Sequence, residues 1–167
     1  GSTDGSAGVA GQFSDPRIRI IRQDNAGVSI ARNNGVKAAK HEYLAFLDAD
    51  DWWDPHYLEA MQEMIINYPD AGLWAAKYYK VKHGREIEAR IGLDNGFTAG
   101  YIDYFKVYAQ TMWMPLYPPS VIISKKIFEE FNGFKPRLKL GEDFDLWARI
   151  ALKYKIAYLI RPMVYYN

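Results

Sequence analysis

The chain has 167 residues, 49% apolar and 25% charged, a balance that suits one globular domain with a real core. Its net charge is +1 with Lys and Arg scattered along the chain, which argues against a large nucleic-acid footprint. The absence of cysteine excludes a disulfide framework and a thiolate metal site, and no apolar run reaches the length of a membrane span.

Short apolar runs alternate with helical patterns, which predicts an α/β fold with a mainly parallel, Rossmann-like sheet. Gly1-Ser2-Thr3-Asp4-Gly5-Ser6 reads as a strand-to-helix turn without its strand, or as a disordered terminus. Ile18 to Arg22 reads as a strand. After the turn Asn25-Ala26-Gly27, residues Val28 to Lys40 read as a helix. Tyr43 to Leu47 reads as a strand buried on both faces. Asp54 and Pro55 suit a helix start, with Leu58, Met61, Met64 and Ile65 as its apolar stripe. Leu73 to Lys82 and Glu86 to Ile91 read as strands joined at His83-Gly84. Tyr101 to Gln110 reads as a helix, Ser120 to Ile123 as a strand and Lys125 to Phe131 as a further helix. A last helix covers Asp143 to Tyr154, with strands at Ile156 to Leu159 and Val164 to Tyr166. No repeat or long linker divides the chain, so residues 1–167 read as one domain.

Two acidic clusters carry the chemistry. Asp48-Ala49-Asp50-Asp51 follows the strand Tyr43 to Leu47 directly. Ligand sites in open α/β sheets lie beyond the carboxyl ends of strands. Three crowded carboxylates repel unless a cation or solvent relieves them, and a hard divalent ion takes oxygen ligands together with phosphate. The other reading is an acidic helix entry in which Asp51 or Asp54 caps the following helix. An EF-hand calcium loop is excluded, because Trp52 and Trp53 occupy positions that need an oxygen ligand and a glycine. The second cluster, Glu142, Asp143 and Asp145 in Gly141-Glu142-Asp143-Phe144-Asp145-Leu146-Trp147-Ala148-Arg149, opens a helix. These acids either stabilise its first turn, with Arg149 pairing to Asp145, or supply a general base. A metal site plus a separate carboxylate base is what displacement of a nucleotide diphosphate by a hydroxyl requires.

The ordered set GSTDGS, NAGVSIARNNG, a strand ending DADD, FNGF and GEDFDLWAR resembles the family-2 glycosyltransferases of GT-A fold, over nearly the whole chain. The resemblance implies an inverting, metal-dependent transfer of a sugar from a nucleotide-sugar donor, with UDP the expected nucleotide and Mn²⁺ or Mg²⁺ the ion. It places Thr3 and Asp4 near the nucleoside and Arg32 near the nucleobase, where the bland alternative is a surface charge. It places Asp48 at the ribose or metal, Asp50 on the metal and Asp51 behind them. Asp143 matches the catalytic base, with Glu142 orienting the acceptor or substituting for it. The implied acceptor is a carbohydrate or lipid-linked saccharide, in cell-envelope or exopolysaccharide synthesis. The implied location is cytoplasmic, with peripheral attachment to the inner membrane face left open, as is oligomeric state. The family normally opens with a strand-helix-strand unit ahead of GSTDGS, about 35–40 residues by ordinary element lengths, and continues beyond Tyr165-Tyr166-Asn167. The chain therefore reads as a fragment.

Trp52 and Trp53 read as packing beneath the helix after Pro55 or as a border of the sugar site. Met112 to Met114 and Tyr117-Pro118-Pro119 read as a packed loop or an acceptor wall, and His56 as a helix-surface residue. Two rival functions remain at this point. A nucleotidyltransferase would use paired acids on a metal but would show a Gly-rich, basic phosphate loop. A non-catalytic carbohydrate or nucleotide-binding module has no need of the second cluster.

Overall fold

The computed structural model describes all 167 residues. In chain order the elements are α1 (Ser6–Ala10), α2 (Val28–Ala38), β1 (Tyr43–Ala45), β2 (Trp52–Trp53), α3 (Tyr57–Asn67), β3 (Ala71–Lys82) and β4 (Arg85–Glu88). There follow β5 (Ala99–Ile102), α4 (Tyr104–Thr111), a 3₁₀ turn at Pro118–Ser120, β6 (Val121–Ser124), α5 (Lys125–Glu130), α6 (Glu142–Ala151) and β7 (Lys155–Tyr166). No helix is long and apolar enough to cross a membrane.

The long strands β3 and β7 form the spine, and they are the one parallel pair. On the outer side of β3, β6 pairs with residues 73–75 and β4 with residues 79–82, both antiparallel. On the outer side of β7, β5 pairs with 156–159 and β2 with 164–165, again antiparallel, and β1 closes the β6 edge. The α/β class is as expected, but the mainly parallel sheet is corrected to a mixed one. Only β4 arrives by a short return, the His83-Gly84 turn, whose two residues both have positive φ; the other antiparallel neighbours come from distant parts of the chain.

Residues 71–76 of β3 are buried without interruption, because the two faces of the sheet carry different cores. Leu73 and Ala75 point to a cluster with Phe134, Leu146, Trp147 and Ile150 from the α6 side. Trp74 and Ala76 point to a second cluster with Tyr57, Met61 and Met64 of α3. The stripe of α3 is Tyr57, Ala60, Met61 and Met64; Leu58, expected there, is exposed, since it lies one position off the 3.6-residue repeat. Asp54 starts that helix from outside: its carboxylate accepts from His56 N and its carbonyl from Tyr57 N. His56 lies on the surface beside Glu59.

Four further expectations change. Ile18 to Arg22 forms no strand and is exposed: it makes no ladder hydrogen bond, and only Ile18 N donates, to the Asp15 carbonyl. Tyr43 to Leu47 is buried on one face only. Leu44 and Phe46 face the α6-side core, whereas Tyr43 and Leu47 are exposed, because α3 packs over β3 and β7 rather than over β1. Tyr101 and Ile102 belong to β5, and α4 begins at Tyr104 behind the Asp103 cap, whose carboxylate accepts from Lys106 N. The two final strands are one, interrupted at Ile160–Pro162 by a bulge that accommodates a proline without an N–H.

Candidate functional site

The first acidic cluster leaves the sheet at the end of β1. Phe46 anchors the exit against the rings of Phe128 and Phe134, at 5.9 and 5.4 Å. Asp51 N donates to the Asp48 carbonyl at 3.2 Å, closing a turn that presents Asp48 half-buried and Asp50 exposed. Asp51 turns inward. Its Oδ1 accepts from the backbone N–H of Asn167 at 2.9 Å, and its Oδ2 is buried with no hydrogen-bond partner. Burial, together with the neighbouring Asp50 and Asp48 carboxylates, pushes its carboxyl up to about 6. Trp53 packs as expected, stacked on Tyr57 with its Nε1 donating to Pro119 O, whereas Trp52 is exposed and stacks on Tyr165.

The second cluster opens α6 behind Gly141, whose φ of +73° suits glycine. Leu146, Trp147 and Ile150 are fully buried, as their spacing predicts. The three acids divide their roles. Asp145 accepts from Lys135 Nζ at 2.7 Å and Arg149 Nε at 2.9 Å. Arg149 in turn donates to the carbonyls of Phe131 and Gly133 at 2.6 and 3.0 Å, so this pair fixes the Phe131-Asn132-Gly133-Phe134 turn. Glu142 is buried. Asp143 is half-buried and contacts only the following backbone N–H, that of Phe144, at 2.8 Å. Burial raises its carboxyl above the ordinary range, and the Glu142 carboxylate adds to that shift, partly offset by the Phe144 N–H and Arg32.

Arg32 joins the two clusters. It projects from α2 and donates through Nη2 to Asp48 Oδ2 at 2.6 Å and through Nη1 to Glu142 Oε1 at 3.0 Å. Its side chain is only 11% exposed, so the surface-charge alternative is corrected. The guanidinium lies 5.4 Å from the centroid of the Phe134 ring. Asn33, the next residue, pins Phe134 from both sides: its Nδ2 donates to Phe134 O at 2.7 Å and its Oδ1 accepts from Phe134 N at 3.1 Å.

Tyrosines wall the opposite side. Tyr117 and Tyr166 stack at 4.4 Å, and burial raises both hydroxyls. The carboxylates of Asp51, Asp143 and Asp48 help to raise the Tyr166 hydroxyl, whose neighbour Asn167 donates its N–H to Asp51, and Asp143 likewise helps to raise that of Tyr104. Sequence reasoning singled out Tyr117 but missed Tyr166 and Tyr104. The one available signal was strand alternation, which puts Tyr166 and Tyr165 on opposite faces. The Pro118-Pro119 segment is buried and packed, and Met112 is exposed. Thr3 and Asp4 are exposed and line a separate open cleft of about 560 Å³ along the first half of α2, with Asn25 to Val28 and Ala31. Asp4 Oδ1 accepts from Ser6 N there.

A mixed sheet between helices, with two acidic clusters meeting over one strand end, defines an α/β domain of GT-A type. A family profile described as Glycosyl transferase family 2 matches residues 1–130. The glycosyltransferase GlyA of Streptococcus pneumoniae is 31% identical over 181 aligned positions, taking in 100% of this chain and 25% of the relative. The putative colanic acid biosynthesis glycosyl transferase WcaA of Escherichia coli is 26% identical over 85% of this chain and 49% of its own. The crystal structure of S. aureus TarS 1-349 superposes with a TM-score of 0.79 at 20% identity, over 99% of this chain and 48% of that one. A structure of the same protein in complex with UDP-GlcNAc superposes at 0.75. The chain belongs to glycosyl transferase family 2. It spans a quarter to a half of the length of these relatives, 25% of GlyA and 49% of WcaA.

Proposed function

We propose that this chain carries the donor-binding and catalytic groups of a metal-dependent, inverting glycosyltransferase. It moves a sugar from a UDP-linked donor to a hydroxyl of a saccharide or lipid-linked saccharide acceptor. The observation that carries the reading is the Arg32 bridge, which holds Asp48 of the first cluster and Glu142, the neighbour of Asp143, on one guanidinium. The relative assigned to colanic acid biosynthesis and the TarS complex with UDP-GlcNAc support polysaccharide synthesis from a UDP-sugar.

No three acidic or histidine side chains converge as a ready metal cage. A divalent ion shared with donor phosphates needs only one or two carboxylates. Asp50 is exposed, one oxygen of Asp48 is left over from its pair with Arg32, and the unpartnered Asp51 oxygen adds negative potential beside them. These residues fit such an ion, with Asp50 and Asp48 as its holders. Bound there, the ion would supply Lewis-acid stabilisation of the diphosphate leaving group.

The remaining chemistry falls to the chain itself. Thr3 and Asp4 bind toward the nucleoside along α2. Asp143 is the one acid of its cluster not engaged by Arg or Lys, and burial raises its carboxyl, which makes it a better proton acceptor than an ordinary exposed carboxylate. It takes the proton of the acceptor hydroxyl as the new bond forms at the anomeric carbon, opposite the departing diphosphate.

The deciding experiment is thermal unfolding with UDP, with Mn²⁺ or EDTA, for wild type and Asp50→Ala. A ligand at 100 times its dissociation constant stabilises by about 2.7 kcal/mol. A Mn²⁺-dependent rise in Tm that Asp50→Ala removes is expected. A UDP-induced rise of equal size in EDTA, or in Asp50→Ala, refutes the metal assignment.

A further inference from the structure

The short edge strand β2 consists of two tryptophans, whose side chains leave it on opposite faces. Trp53 is accounted for by its stack on Tyr57 and its bond to Pro119 O. Trp52 takes the other face. It lies opposite Tyr165, Tyr165 lies opposite Tyr79, and Tyr79 lies opposite Glu88. Directly opposed residues share a face, so one row crosses β2, β7, β3 and β4. Its rings are nearly parallel, Trp52 to Tyr165 at 5.2 Å and 9°, and Tyr165 to Tyr79 at 5.3 Å and 22°. Tyr165 is thus held between two rings, whereas Trp52 has one ring neighbour and stays 43% exposed at the sheet edge.

The groups on the same face narrow what suits that open indole. Glu88 and Glu86, which lies opposite Val81, are both exposed there, and Lys77 is already held by Glu88 at 2.5 Å. Acids beside the row disfavour a phosphate-bearing partner, and they are depleted from the centres of protein interfaces. A pyranose matches both features, since it offers a face of C–H groups to an aromatic ring and a rim of hydroxyl donors to carboxylates.

We propose that the outer face of Trp52 is a saccharide subsite, which holds a sugar unit of the acceptor other than the one that reacts. The row lies on the face of β7 opposite Tyr166, away from the stack of Tyr166 on Tyr117. That the bound saccharide is the acceptor rests on the glycosyltransferase reading above, whereas binding at Trp52 does not.

The test is calorimetric titration of the full chain, without UDP or metal, with β-1,4-linked hexasaccharides of glucose and of N-acetylglucosamine. Trp52→Leu keeps an apolar side chain over Tyr165 but removes the flat face, and Trp52→Phe restores a ring. Wild type should bind at least one hexasaccharide, Trp52→Leu should weaken it about tenfold, and Trp52→Phe should stay within about threefold of wild type. UDP affinity in Mn²⁺ should be the same in all three. Wild type that binds neither hexasaccharide overturns the proposal, as does equal binding by wild type and Trp52→Leu. A matching fall in UDP affinity makes Trp52 part of the donor site and also overturns it. If Trp52→Leu lowers Tm enough to unfold the chain, Trp52→Phe decides, since a fold with the ring present and binding lost refutes stacking. A wild-type chain that binds a hexasaccharide but neither binds UDP nor transfers sugar overturns the glycosyltransferase reading and the acceptor role with it.

Discussion

Gly133→Ala tests how the Phe131–Phe134 turn supports the site. Gly133 has φ +60°, and a Cβ there would lie 2.6 Å from Asn33 Oδ1, 2.6 Å from Phe128 Cε1 and 2.8 Å from Phe128 Cζ. Neither neighbour can yield cheaply. The Asn33 oxygen is held by Phe134 N, and the Phe128 ring is packed between Phe46 and Phe134. The left-handed backbone costs an L-residue about 1–2 kcal/mol. Overpacking adds about 1–3 kcal/mol, for a loss of about 2–5 kcal/mol. In a domain of this size each kcal/mol lowers Tm by about 2–4 °C. Gly84→Ala is the control. Its φ is +72° and no atom lies within 4 Å of its Cβ, so it meets the backbone cost without the crowding. Both variants remove the same flexibility from the unfolded chain, so their difference isolates the steric part. Urea unfolding should place Gly133→Ala below Gly84→Ala by about 1–3 kcal/mol. Equal losses would refute the close packing of Gly133 against Asn33 and Phe128.

Three further outcomes are expected. Asp143→Asn should cut transfer by about 100-fold or more while leaving UDP binding intact; lost binding with unchanged chemistry removes the assignment of Asp143 as base. Asp51 has its carboxyl raised from 3.8 to about 6 in the folded chain, so it stabilises when protonated, and that contribution is lost as pH rises through about 6. Asp51→Asn should therefore raise stability at pH 8 in EDTA by about 2–3 kcal/mol and change little at pH 4; an unchanged Tm at pH 8 counts against it. Phe134→Ala removes a fully buried ring that meets Phe46, Phe128 and Trp147 edge-on and lies beneath Arg32, and should cost about 3–5 kcal/mol by denaturant titration. A loss below about 1 kcal/mol would mean that the cluster closes over the gap.

Much of this protein follows from local chemistry alone. The helices at Val28, Tyr57, Lys125 and Glu142 follow from apolar spacing, and the His83-Gly84 turn from its residues, because each depends on neighbours a few positions away. The motifs placed both acidic clusters at the ends of elements for the same reason, and the pairing of Asp145 with Arg149 needed only one helical turn. Strand direction did not follow, since an apolar run carries no mark of which neighbour it will pair with. Nor did the fate of Ile18 to Arg22, whose composition suits a strand that finds no partner here. The site itself was decided by tertiary structure. Asp143 and Glu142 are adjacent and chemically alike, yet Arg32 reaches only Glu142, and Asp51 differs from Asp50 only in turning toward Asn167. Those differences arise from contacts across 16, 110 and 116 positions, which no local pattern of side chains encodes.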